Sequence, residues 1–257
     1  MKRLPAILLV VSAAGWRAAP AWTPPMDERI AAEATRLMPR ALRSILEKHA
    51  DDLRAGLRET AGDETRGGAA ARADALASEI VAMIDGHRPF EEVARRMGAL
   101  ARVVGDLNNP LLASDEDPHE YRYVLDFEEY VESNIDRYPL VFYGWQSEAL
   151  DSAGPAGSGD VRRFAAESVN RARRYYRPIG RAYAPDNPEP LARRFDVRSL
   201  PFGIGSLSYS YSVTDTARIW RHIWRRAHGD MSGTPYLVVQ TRPASGDAMG
   251  SARGDNR

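Results

Sequence analysis

Leu100-Ala101-Arg102-Val103-Val104-Gly105-Asp106-Leu107-Asn108-Asn109-Pro110-Leu111-Leu112 is the stretch that decides the fold. Its first half closes an amphipathic helix opened by Pro89, whose missing N–H costs nothing at a first helical position. Phe90, Val93, Met97, Leu100, Ala101 and Val104 recur at intervals of three and four and lay one apolar stripe along that helix. The second half is an Asp-Leu-Asn-Asn-Pro-Leu turn, because Pro110 drives the residue before it out of helical geometry. Arg102 and Asp106 stand one turn apart on the same side of the helix.

The flanking sequence repeats the helical period. Residues 27–38 carry Ile30, Ala31, Ala34, Leu37 and Met38 on one face, and Pro39 opens a second helix with Leu42, Ile45, Leu46, Leu53 and Leu57. A polar, Gly-rich loop at 60–68 leads to a third helix over 69–84, stopped at Asp85-Gly86. Residues 119–135 form another, with Tyr121, Val124, Phe127, Val131 and Ile135 inward. A Gly/Ser/Ala loop at 151–159 precedes a helix over 161–176 with Asp160 as cap. Residues 183–203 are proline-rich and read as irregular. Ser206 to Ser212 alternates and reads as a short strand or extended approach, before a helix capped by Ser212 or Thr214 that carries Ala217, Ile219, Trp220, Ile223 and Trp224. Nothing supports a βαβ alternation. The expectation is an all-α, single-domain, multi-helix bundle with an irregular C-terminal section.

The ends read differently. Lys2-Arg3, an apolar run from Ala6 to Gly15 and the small residues of Ala19-Pro20-Ala21 form a signal peptide over 1–21, leaving Trp22 first; an uncleaved anchor is the alternative. The domain then spans 22–242, and the Gly/Ser/Asp/Arg tail at 243–257 reads as disordered. Residues 1–21 hold Lys2, Arg3 and Arg17 and no acid, so 32 basic side chains then face 35 acidic ones, a net charge of −3. That balance gives no global attraction for nucleic acid. The chain has no cysteine, so export, to the periplasm or outside the cell, brings no disulfide framework.

The Arg102–Leu112 segment resembles the central metal-binding signature of the zinc-dependent phospholipase C and single-strand nuclease superfamily, where it runs His-Tyr-x-x-Asp-Leu-x-Gln-Pro-Leu-His. Trp22 at the expected mature N-terminus resembles that family's ligating N-terminal tryptophan. The helices joined at Pro39 and the Phe127-Glu128 pair add to the resemblance, which covers about residues 22–135, with a weaker echo in Ser206 to Trp224. It implies the phospholipase C-like all-α fold. Asp106 and Glu128 keep the family's carboxylates, whereas Asp27, Arg102, Leu112 and Val124 stand where its pattern expects histidine. The chain's own histidines, His49, His87, His119, His222 and His228, read as surface residues.

Two functional readings follow. In the first, the chain is an exported, non-catalytic relative with a degenerate metal site and no cofactor, structural or binding a ligand or partner. A lone buried carboxylate is costly, so Arg102 is expected to bridge Asp106 and Glu128 where the metal's charge once stood. In the second, Trp22, Asp27, Asp106 and Glu128 form a reduced, oxygen-rich site of an active phosphodiesterase or phospholipase C. Such a set suits calcium, magnesium or manganese better than the family's zinc, and the substrate would be a phospholipid or another phosphate ester. A plain helical envelope protein is a third reading. Arg162, Arg163, Arg171, Arg173, Arg174 and Arg177 read as a solvated helix face. Trp220 and Trp224 read as core anchors.

Overall fold

The structure, a computed structural model, describes residues 22–59, 68–114, 116–118, 120–151, 158–183 and 195–237. The expected signal peptide and C-terminal tail lie outside the described residues. Among the described residues all regular structure is helical: α1 (Pro24–Arg36), α2 (Arg40–Lys48), α3 (Ala50–Leu57), α4 (Ala69–Asp85), α5 (Phe90–Asn108), α6 (Val124–Ser133), α7 (Glu148–Asp151), α8 (Ser158–Ala182) and α9 (Leu200–Arg226). The all-α expectation holds. No described helix is long and apolar enough to cross a membrane.

Helices α5 and α9 form the centre. α5 packs against α1, α3, α4, α8 and α9, and α9 against α1, α4, α5 and α8. They are pinned where the Trp220 indole N–H donates to the Met97 carbonyl at 3.2 Å. Trp220 and Trp224 are buried, as core anchors should be. Helices α3 and α5 cross at backbone contact. A Cβ on Gly98 would lie 2.1 Å from the Leu53 carbonyl oxygen, and one on Gly56 would lie 1.8 Å from that of Arg95. Only glycine permits that approach.

Several expected boundaries move. The helix expected from Pro39 to Leu57 is two, broken at His49, whose φ of −105° and ψ of 33° leave helical geometry. The helix expected over 119–135 is a 3₁₀ turn (Glu120–Arg122), α6, and a second 3₁₀ turn (Ile135–Arg137). The strand reading of Ser206 to Ser212 is overturned: the stretch lies inside α9, which begins at Leu200 with the Ser199 hydroxyl accepting from the Phe202 N–H at 3.3 Å. Of the section expected to be irregular, 183–203, residues 195–199 carry no helix, residues 200–203 open α9, and 184–194 lie outside the described residues. Helix α9 is buried along most of its length. A helix enclosed on all sides loses the one-sided apolar stripe, and its hydroxyls bond locally, Ser212 Oγ donating to the Ser208 carbonyl at 2.8 Å.

Candidate functional site

The N-terminus of α1 and the second half of α5 meet at Gly105. The Trp22 indole N–H donates to the Gly105 carbonyl at 2.9 Å. A Cβ on Gly105 would stand 3.0 Å from Trp22 Cδ1 and 3.4 Å from Asp27 Oδ1, so the glycine makes room for both side chains. Asp27, in the first turn of α1, is 2% exposed.

Arg102 lies between two carboxylates. Its Nη1 is 3.2 Å from Asp27 Oδ2, and its Nε is 3.5 Å from Asp106 Oδ1 one turn along α5. The side chains of Arg102 and Asp106 are each only 16% exposed. Glu128, on α6, makes no direct ion pair with Arg102 but feels its charge. The expected bridge from Arg102 to Asp106 and Glu128 is thus drawn differently. Asp106 is a partner as expected, the second partner is Asp27, and Glu128 stands further out.

Burial dominates the electrostatics of Asp27 and Glu128. Burial pushes the Asp27 carboxyl well above the usual range; Arg102 opposes that shift, and Asp106 and Glu28 add to it. Burial pushes Glu128 up to about 7, again against Arg102. Desolvation outweighs attraction at both groups.

The donor set does not fit the family's zinc. The Arg102 guanidinium sits between the two carboxylates that would have to ligate. A dication could enter only by expelling it. Among the described residues, no group of three or more histidine, aspartate and glutamate side chains is placed to hold a metal ion. Leu112 and Val124, at two of the positions where the family pattern has histidine, pack against the hydrophobic core. His222 is buried on α9, which corrects its surface reading, and His119 lies outside the described residues.

A second buried ion cluster was not anticipated from the sequence. Asp215 on α9 is fully buried. Its Oδ2 accepts from Asn108 Nδ2 at 3.1 Å, from Ser168 Oγ at 2.8 Å and from Arg171 Nη2, and its Oδ1 lies 3.6 Å from Arg218 Nη1. Arg171 also donates to Asn108 Oδ1 at 2.8 Å. Arg171 therefore leaves the solvated arginine face expected for α8, while Arg163 and Arg177 keep to surface pairs with Glu148, Glu167 and Glu116. The available signal was a lone acid in the stretch Ser212-Val213-Thr214-Asp215-Thr216-Ala217-Arg218-Ile219-Trp220.

No protein-family model, curated protein or solved structure matches this chain.

Proposed function

We propose that the protein is an exported, non-catalytic relative of the zinc-dependent phospholipase C and single-strand nuclease superfamily, with a guanidinium standing where that family holds its metal. The observation that carries the reading is the Arg102 side chain lodged between Asp27 and Asp106, where Trp22 and Asp27 both pack on Gly105. These are positions at which the family pattern places its tryptophan, an early histidine and a His-x-x-x-Asp pair. An arginine supplies positive charge but no open coordination position and no activated water. The cluster then holds the start of α1 on α5, and the surface around it serves structure or the binding of a ligand or partner. Export rests on the Lys2-to-Ala21 segment, and N-terminal sequencing of the mature protein is expected to begin at Trp22.

Metal content and hydrolysis together test the reading. Elemental analysis of the purified mature protein is expected to find no stoichiometric divalent metal. Bis(p-nitrophenyl) phosphate is expected to be hydrolysed no faster with protein than without, whether or not a chelator is present. Stoichiometric metal with chelator-sensitive hydrolysis would instead establish the active reading, with Trp22, Asp27, Asp106 and Glu128 around the ion.

A further inference from the structure

Between α6 and α7 the chain Tyr138-Pro139-Leu140-Val141-Phe142-Tyr143-Gly144-Trp145 crosses α9 as an extended strap with no regular structure of its own. Three successive turns of α9 hold it. The Val141 N–H donates to Ser210 Oγ at 3.1 Å, and that hydroxyl donates on to the Pro139 carbonyl at 3.3 Å. The Tyr143 N–H donates to Thr214 Oγ1 at 3.3 Å. Arg218 donates to the Tyr143 and Gly144 carbonyls, both at 2.9 Å. Side chains of a helix thus do what a neighbouring strand would do, and they use backbone groups of residues 139, 141, 143 and 144 while leaving those of 140 and 142.

The opposite edge is free. Among the described residues nothing bonds the N–H or C=O of Leu140 or Phe142. Around that edge Leu140, Val141, Tyr143, Tyr236 and Leu237 are between 36% and 74% exposed. The Tyr236 ring lies 5.7 Å from that of Phe142 and joins the two segments into one patch. Residues 138–145 contain no charged side chain. Natural edge strands are normally guarded by charge, proline placement or a cover, and here the single proline, Pro139, lies on the inward side of the alternation.

We propose that this edge docks an extended peptide by strand addition, with apolar residues at alternate positions of the peptide and a carboxylate at one end. Two arguments select that occupant. Five partly exposed side chains make a patch on the order of a few hundred Å², the size of a small functional patch, and short of the roughly 800 Å² per partner that a stable dimer buries. The border is basic. Arg171 lies over the Tyr211 ring that stacks on Tyr143, Arg218 grips the strap, and Arg221 lies over Trp145. The fully buried Asp215 pairs with Arg171 and Arg218 and offsets one of their two charges, while Arg221 faces Arg225 and Asp151. The four free backbone groups at 140 and 142 supply affinity, and the apolar patch and arginine border supply selectivity. This inference does not depend on the metal-site reading.

The test uses the full chain and an acetylated, amidated hexapeptide Asp-Val-Thr-Val-Thr-Val, followed by backbone NMR and calorimetry. The variant is Leu140→Pro. It deletes an N–H that bonds nothing, and its demand for an extended preceding residue is met by the strap. Binding is expected to perturb residues 139–144 and 236–237. It should weaken by about tenfold or more in Leu140→Pro at unchanged melting temperature, a change of about 1.4 kcal/mol. A fully N-methylated peptide is expected not to bind, and a lysine-for-aspartate peptide to bind more weakly. Absence of binding at millimolar peptide, or binding indifferent to Leu140→Pro or to N-methylation, overturns the proposal. Two results would name another occupant and overturn it equally. One is a dimer, seen in sedimentation, that Leu140→Pro dissolves. The other is a shift of the resonances of residues 238–257 by Leu140→Pro in the absence of peptide.

Discussion

At Asp27, burial disfavours the charge and Arg102 favours it, and burial is the larger effect. Removing the guanidinium therefore leaves a 2% exposed carboxyl with no cation. Arg102→Met is expected to lower unfolding free energy at pH 7 by about 3–5 kcal/mol, measured by urea denaturation, because breaking a buried pair strands the other charge. Arg102→Lys should fall between, since an ammonium cannot span two carboxylates as a planar fork does. An unchanged midpoint in Arg102→Met would mean that the pair is worth no more than a solvated one. Glu128 carries a pH signature. Its native pKa of about 7 lies above its ordinary 4.5, so between those values the folded state holds more proton than the unfolded one. Stability contributed there is full below about pH 4.5 and is lost as pH rises towards 7. Glu128→Gln is expected to flatten that part of the stability–pH curve, and an unaltered slope would place the titrating group elsewhere.

Among the elements, the α3–α5 crossing has the least slack. An alanine methyl at Gly98 would enter the Leu53 carbonyl, and backbone cannot rotate away as a side chain can. Gly98→Ala is expected to cost about 1–3 kcal/mol by overpacking, read as a lowered melting temperature. The strap on α9 gives a subtler case. Thr214→Val keeps shape but removes the acceptor of the Tyr143 N–H. It is expected to cost about 0.5–1.5 kcal/mol and to speed hydrogen exchange at Tyr143 before any global loss. How far the sequence disclosed these elements follows from their environment. Helix α5 is legible because its first half keeps a stripe of apolar residues, Phe90, Val93, Met97 and Leu100, against the core. Its near neighbour Asp27 is less legible as an ion-pair partner, since no spacing rule links residues 75 positions apart on different helices. Helix α9 misleads for a physical reason. Ser208, Ser210 and Ser212 alternate with tyrosines as strand residues do, yet all three are buried in a helix that uses hydroxyls to satisfy itself and the strap.

Across the whole molecule, the two buried ion clusters divide the work of holding helices together. Arg102 ties α1 to α5. Asp215 ties α5, α8 and α9 through Asn108, Ser168, Arg171 and Arg218. The second cluster joins residues 107 positions apart and reaches outside the stretch that resembles the phospholipase C and nuclease superfamily. Burial already holds the Arg218 pKa below its ordinary value, with the Asp215 charge pulling the other way. Asp215→Asn keeps the shape and can keep accepting from Asn108 and Ser168, but it strands two guanidinia, that of Arg218 on a side chain only 13% exposed. It is expected to cost about 3–5 kcal/mol, well above the loss of one neutral hydrogen bond. Because the carboxylate joins three helices, hydrogen exchange in Asp215→Asn should quicken along α8 while α1 and α2 keep their protection. Adding Arg171→Met to Asp215→Asn should recover part of the loss, since one stranded cation is removed with it. Strictly additive losses in that cycle would mean that Arg171 is held by Asn108 and the Tyr211 ring alone, and that the carboxylate does not organise the α8–α9 contact.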